Sequence, residues 1–219
     1  DQKTNLKLEL NGLKERLSVE FSIDITDLLE NDVPEGENEE ALKEKTEKLI
    51  LHFEIDPYKK QGVGLTNGGS ASKNKQSTDV TYDFYDRSEL ASNIIGPCLT
   101  ENTEKYFQKH YSNGLDCVNE FIVYPHYNIQ RYMPGEGYHQ KHCECAGLGK
   151  ELDRVLVWMI YLNDVKSGGR TIFPTQNKKI KAKRGRLVIW PAYWPWSHYG
   201  ETSKTETKYV ATGWFTFKL

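Results

Sequence analysis

The spacing of apolar residues changes character near residue 119. Before it, apolar positions recur at helical intervals. Leu42, Leu49, Ile50 and Phe53 predict a helix over 39–53, and Leu90, Ile94, Ile95, Leu99, Tyr106 and Phe107 predict a second over 89–111, interrupted near Gly96-Pro97. Leu6, Leu8, Leu10, Leu13 and Leu17 allow one or two short elements upstream, and the stretch 31–38 reads as a loop. Beyond residue 119, short apolar or alternating runs separated by turn residues predict eight strands, over 120–133, 138–145, 154–163, 170–173, 178–183, 186–190, 197–201 and 208–217. From Val155 to Leu162 the run is almost unbroken, as expected of a strand buried on both faces. Ser167-Gly168-Gly169 suits a turn that needs positive φ.

Eight short strands are the number found in a double-sheet jelly roll of the cupin type. The expected architecture is mainly β with flanking helices. A double-stranded β-helix core would occupy 119–219, with a helical or irregular N-terminal region, 1–118, packed on its outside. Within that region a Gly-, Ser- and Asn-rich stretch, about 61–78, predicts a flexible loop. Its Gly62-Val63-Gly64 lacks the strand-to-helix setting of a dinucleotide site.

Composition narrows the function classes. The 219 residues suffice for one full core, and 29 basic against 31 acidic residues give no global field for nucleic acid or an anionic membrane. The basic run from Lys178 to Arg184 reads as a solvated edge strand. No apolar stretch approaches the roughly 18 residues of a membrane span, and the first residues lack the pattern of a secretion signal. A soluble, cytoplasmic protein is expected. Cys98, Cys117, Cys143 and Cys145 are too few and too unevenly spaced for a disulfide framework, and reduced thiols are expected.

Candidate chemistry lies between Tyr138 and Cys145. If this run is a strand, alternation puts His142 and Glu144 on one face and Cys143 and Cys145 on the other. The candidate third ligand is His198, in Trp196-Ser197-His198-Tyr199-Gly200. Two His and one carboxylate make the facial triad of non-haem Fe(II) oxygenases, with positions left open for cosubstrate and O2. A zinc site from His139, His142, Cys143 and Cys145 is the rival, disfavoured because on a strand the thiols face away from His142.

In order along the chain, Tyr132-x-Pro134-Gly135, His142-x-Glu144, Tyr161-Leu162-Asn163, Gly168-Gly169-x-Thr171-x-Phe173-Pro174, His198, Lys208 and Trp214 give the sequence a family likeness. Over about 119–219 it resembles the prolyl 4-hydroxylase branch of the Fe(II)/2-oxoglutarate dioxygenases. The basic residue ten positions beyond the distal histidine is the most specific part of that pattern. The resemblance implies that His142, Glu144 and His198 hold Fe(II), and that 2-oxoglutarate chelates the ion through its 2-oxo and C1 carboxylate oxygens. It implies that Lys208 pairs with the C5 carboxylate, that Tyr161 hydrogen-bonds the same carboxylate, and that Tyr132 lines the cosubstrate and substrate side. Thr212 and Trp214 would complete the wall, although simple packing is the expected role for both. O2 as oxidant and ascorbate as reductant follow from the same resemblance. The family usually has aspartate where this chain has Glu144. Glutamate keeps the charge and the oxygen donor and adds a methylene, about one bond length. Keeping a carboxylate also argues against a related halogenase, in which chloride takes the vacated position.

The implied reaction is hydroxylation of an unactivated C–H bond, with peptidyl proline the first expected substrate. The same chemistry on a free amino acid, small molecule or nucleobase is the alternative. A catalytically silent jelly roll that binds a ligand or protein partner is a third reading. Trp190, Tyr193, Trp194 and Trp196 suit either a platform for a proline-rich peptide or core packing. Nothing in the sequence sets the oligomeric state.

Overall fold

A computed structural model of the chain describes residues 39–58, 74–85, 90–110, 120–147 and 151–218. The candidate elements over Leu6–Leu17, the loop 31–38, Cys117 and most of the 61–78 stretch lie outside the described residues. Helix α1 (Glu39–Ile55) buries Leu42, Thr46, Leu49 and Phe53 on one stripe, begins with two glutamates that suit a helix N-terminus, and ends two residues before Pro57. A π-turn (Ala91–Ile95) runs directly into α2 (Gly96–His110). The expected interruption at Gly96-Pro97 is thus a widened turn: the Gly96 N–H bonds back to Ala91, and Pro97 has no N–H to give.

The strands, in chain order, are β1 (Lys75–Gln76), β2 (Thr78–Asp83), β3 (Phe121–Val123), β4 (His126–Tyr132), β5 (Gly137–Tyr138), β6 (Arg154–Tyr161), β7 (Thr171–Phe173), β8 (Lys178–Ile180), β9 (Leu187–Pro191), β10 (Tyr199–Gly200) and β11 (Lys208–Phe217). The major sheet is antiparallel in the order β2-β4-β11-β6-β9, with β3 also on β11. The minor sheet is β10-β7-β8, and β1 pairs with β5. With both sheets contributing to one inner core, this is the double-stranded β-helix expected from the strand pattern.

The strands predicted over 178–183 and 197–201 shorten to β8 and β10, and two others differ more. The run 120–133 breaks at Tyr124-Pro125, where proline cannot donate to a ladder. The run 138–145 is not a strand: beyond Tyr138 its ladder reduces to one bridge, His142 to His198. Of the 61–78 loop, the described residues 74–78 supply β1 and the start of β2.

Alternation along β6 divides the interior. Leu156, Trp158, Ile160 and Leu162 pack outward against the helix layer, with Leu49, Phe53, Ile95 and Leu99. Val157, Met159 and Tyr161 pack inward with Phe173, Ile180, Val188, Trp190 and Val210. Trp158 is fully buried, and a Cβ on Gly213 opposite would lie 2.5 Å from its ring, so the cross-strand partner must be glycine.

Candidate active site

The inner face of the major sheet lines a cavity of about 560 Å³, a volume ordinary for a small-ligand site. Asn128, Gln130 and Tyr132 reach it from β4, and Lys208, Val210, Thr212 and Trp214 from β11, every second residue of each strand. His142, Glu144 and His198 line the same cavity.

These three side chains converge, their donor atoms all within 4.8 Å of one another. Local backbone pairing puts them there. His142 and His198 exchange N–H to carbonyl bonds of 3.0 and 2.8 Å, and the Glu144 N–H bonds to the Ala192 carbonyl at 3.0 Å. Convergence therefore does not need the strand expected over 138–145. Glu144 Oε1 lies 3.3 Å from His142 Nε2 and 3.7 Å from His198 Nε2. Both Nδ1 atoms face backbone carbonyls, Gln140 at 2.8 Å and Trp196 at 3.0 Å, which sets the tautomer that frees each Nε2 lone pair. The Tyr138 ring stacks on His142 at 3.8 Å, while Phe173 and Trp190 pack around His198.

Charge states suit a cation as well. Burial alone would raise the Glu144 carboxyl, but hydrogen bonding to His142 and the charges of His142, His198 and Arg154 outweigh it and hold the group well below the usual range. Burial, helped by His142, pushes His198 down to about 4, so its imidazole is neutral at pH 7. Two imidazoles turned inward by Nε2 and one carboxylate form a donor set that fits Fe(II). Among the described residues, His139, Cys143 and Cys145 do not join it, which leaves the zinc alternative without a cluster.

Lys208 is buried in the cavity wall. Its Nζ donates to the Gly169 carbonyl at 3.3 Å and sits over the Tyr132 ring at 4.6 Å, and burial pushes its pKa down to about 8. Three motif residues prepare it. Gly168 and Gly169 both adopt positive φ, so the expected turn forms and aims the carbonyl. Asn163 clamps the start of β11, accepting from the Tyr209 N–H and donating to the Thr207 carbonyl, each at 2.8 Å. The Tyr132 hydroxyl donates to Gln130 Oε1 at 2.8 Å. Tyr161 is fully buried behind the wall, its hydroxyl 2.6 Å from Thr171 Oγ1, and it is Thr171 that lines the cavity.

Trp214 does more than fill space. Its indole N–H donates to Glu144 Oε2 at 3.0 Å, and Arg154 reaches the same oxygen at 3.4 Å. Sequence reasoning missed Arg154, Gln130 and Tyr138, as well as Lys75, a buried lysine in the cavity wall paired with Asp79 at 2.7 Å, and gave Thr171 no role beyond its place in the motif. The Thr212 hydroxyl is occupied by the Trp158 carbonyl at 2.9 Å. The aromatic cluster splits: Trp190 is core at 2% exposure, whereas Trp194 is 76% exposed on the turn leading to His198.

A double-stranded β-helix with two imidazoles and a carboxylate converging in its inner cavity is the plan of a non-haem Fe(II) oxygenase. Comparison with known proteins agrees. Residues 127–216 match the profile of the 2OG-Fe(II) oxygenase superfamily. A protein of Acanthamoeba polyphaga mimivirus, provisionally named a prolyl 4-hydroxylase, is 33% identical over 187 residues, 76% of this chain and 73% of its own length. Among solved structures, the viral collagen prolyl hydroxylase of Paramecium Bursaria Chlorella virus-1, determined with 2OG, gives a TM-score of 0.55 at 19% identity, covering 80% of this chain and 91% of that one. The prolyl hydroxylase of Trichoplax adhaerens, in complex with a hypoxia inducible factor peptide fragment, gives 0.61 at 16% identity, covering 81% and 79%. At such identities the structural likeness concerns the fold. The chain belongs to the 2OG-Fe(II) oxygenase superfamily. It is a 2-oxoglutarate-dependent dioxygenase that uses Fe(II), 2-oxoglutarate and O2. No helix among the described residues is long and apolar enough to cross a membrane.

Proposed function

We propose that this chain hydroxylates peptidyl proline, with His142, Glu144 and His198 as the ligands of Fe(II) and Lys208 as the anchor of 2-oxoglutarate. The observation that carries the reading is one cavity lined both by the three converging donors and by a buried ammonium. Fe(II) with 2-oxoglutarate supplies the oxidising chemistry, converting 2-oxoglutarate and O2 to succinate and CO2 as a substrate C–H bond gains a hydroxyl. The chain's own groups bind and exclude. Lys208 neutralises the distal carboxylate in a desolvated site where a charge-assisted contact is strong. Its ammonium is held between the Tyr132 ring and the Gly169 carbonyl, so little reorganisation is needed on binding. Tyr161 supports the same end of the cavity through Thr171. Met159 and Val210 give the wall its apolar part and exclude water. Ascorbate serves as the reductant that keeps the metal ferrous.

Proline is the substrate named for the mimivirus relative and for the structural neighbours. In this chain, exposed Trp194 offers an aromatic face of the kind that proline-rich segments dock against. The test is incubation of proline-rich peptides with the enzyme, Fe(II), 2-oxoglutarate, ascorbate and O2, followed by peptide mass spectrometry and succinate assay. Peptide-stimulated succinate together with hydroxylated proline is the expected result. Succinate without stimulation by any such peptide would remove the substrate assignment and favour a small molecule, and no succinate from iron-loaded protein would remove the site assignment.

A further inference from the structure

Glu144 presents two oxygens, and its surroundings treat them differently. Oε1 is turned to the imidazoles, 3.3 Å from His142 Nε2 and 3.7 Å from His198 Nε2. Oε2 is turned away and occupied, accepting from the Trp214 indole at 3.0 Å and the Arg154 guanidinium at 3.4 Å. The two donors brace each other, because the guanidinium lies over the Trp214 ring at 3.9 Å. Arg154 is itself fixed by the Glu144 backbone carbonyl at 3.0 Å and by Glu151 at 3.4 Å. A β-bulge makes this possible. Phe215 pairs with Leu156 but Thr216 pairs with Arg154, so the extra residue on β6 shifts the alternation and turns Arg154 to the face that carries Trp214.

We propose that Trp214 and Arg154 are positioning residues that restrict Glu144 to one-oxygen coordination of the metal and so keep a coordination position open for the cosubstrate. The inference rests on the reading of His142, Glu144 and His198 as the Fe(II) ligands. Fe(II) held by His142, Glu144 and His198 would keep places for the two chelating oxygens of 2-oxoglutarate and for O2. Carboxylates ligate through one oxygen or two. Glutamate, with one more rotatable bond than aspartate, can swing both oxygens onto the ion, and a second Glu144 oxygen would occupy a place the reaction needs. Tying Oε2 to the indole and the guanidinium removes that option.

The test uses Mn(II), added without O2 as a redox-quiet probe, and three readouts: Mn(II) affinity, 2-oxoglutarate affinity, and the water-proton relaxation that counts metal-bound waters. Trp214→Phe keeps an aromatic ring, though a smaller one, and removes the N–H. Mn(II) should bind at least as tightly as in wild type, the relaxation enhancement should fall as Oε2 displaces a water, and the 2-oxoglutarate Kd should rise about tenfold, the usual order for losing a group that orients a ligand. Arg154→Met, which keeps an apolar stem over the indole, should shift all three readouts in the same direction by less. A purely structural role would weaken Mn(II) and 2-oxoglutarate binding together, with a lowered melting temperature. That pattern, or wild-type relaxation and affinity in both variants, overturns the proposal. Wild-type protein that holds no Mn(II) overturns the ligand reading, and the proposal with it.

Discussion

The two faces of the major sheet share the same strands but do opposite things. On the outer face, Leu156, Trp158 and Ile160 meet Phe53, Ile95 and Leu99 with apolar contact throughout, and burial there stabilises the fold. On the inner face, Gln130 and Lys208, with Glu144 across the cavity they line, are polar or charged and largely withdrawn from water, which costs stability unless each finds a partner. Tyr132 on Gln130, Lys208 on Gly169 and Trp214 with Arg154 on Glu144 are those partners. One surface holds the sheet together so that the other can keep an ammonium and a carboxylate ready. Alternation along β6 and β11 lets a single strand serve both.

Mutations on either side should separate the two roles. The largest effect on folding is expected from Trp158→Ala on the outer face. Removing a fully buried indole should cost about 3–5 kcal/mol in chemical denaturation, while protein that remains folded keeps its ligand affinities. Lys208→Ala on the inner face should do the reverse. Loss of a charge-assisted contact of about 1.5–3 kcal/mol raises the 2-oxoglutarate requirement roughly 10- to 100-fold. The melting temperature should hold or rise, since a buried ammonium with one carbonyl acceptor at 3.3 Å is removed. If Lys208→Ala unfolds the protein and spares 2-oxoglutarate binding, the division between the faces is wrong.

The smallest effect is a pH dependence. Burial pushes Lys208 down to about 8, with Glu201 opposing, and only the protonated form attracts a carboxylate. The 2-oxoglutarate affinity should therefore be flat with respect to this group below about pH 7 and fall above pH 8, approaching tenfold per pH unit. Titrations without O2 would show it, and Lys208→Arg, charged throughout, should flatten the profile. An unbroken profile in the wild type, with Lys208→Ala leaving the affinity unchanged, would mean that Lys208 is not the anchor.

Periodicity made most of the framework legible. The 39–53 helix prediction differs from α1 only at its end, the apolar run after Val155 is β6, and the Gly168-Gly169 turn adopts the positive φ its residues suggested. His142, Glu144 and His198 were legible as a candidate ligand set, and their donor atoms do converge. Their convergence has a different origin from the alternation expected over 138–145. A single bridge and the Ala192 carbonyl align them, and no strand alternation is involved. Arg154 could not be read from the pattern, since the bulge that turns it inward is a property of pairing between distant strands. Trp214 passed for packing because an indole in a strand usually is packing, and its N–H partner lies 70 residues away in the chain. The sequence motif singles out Tyr161, but its hydroxyl meets Thr171, a partner that depends on the facing sheet.

The most direct test of the central claim is Fe(II) retained after gel filtration without O2, compared across wild type, His142→Ala, His198→Ala, Glu144→Ala and Glu144→Asp. The account predicts stoichiometric iron in wild type, near-stoichiometric iron in Glu144→Asp, and loss in each alanine variant while the fold persists. Stoichiometric iron in any of the alanine variants would contradict it, because the donors that hold the metal would then lie elsewhere.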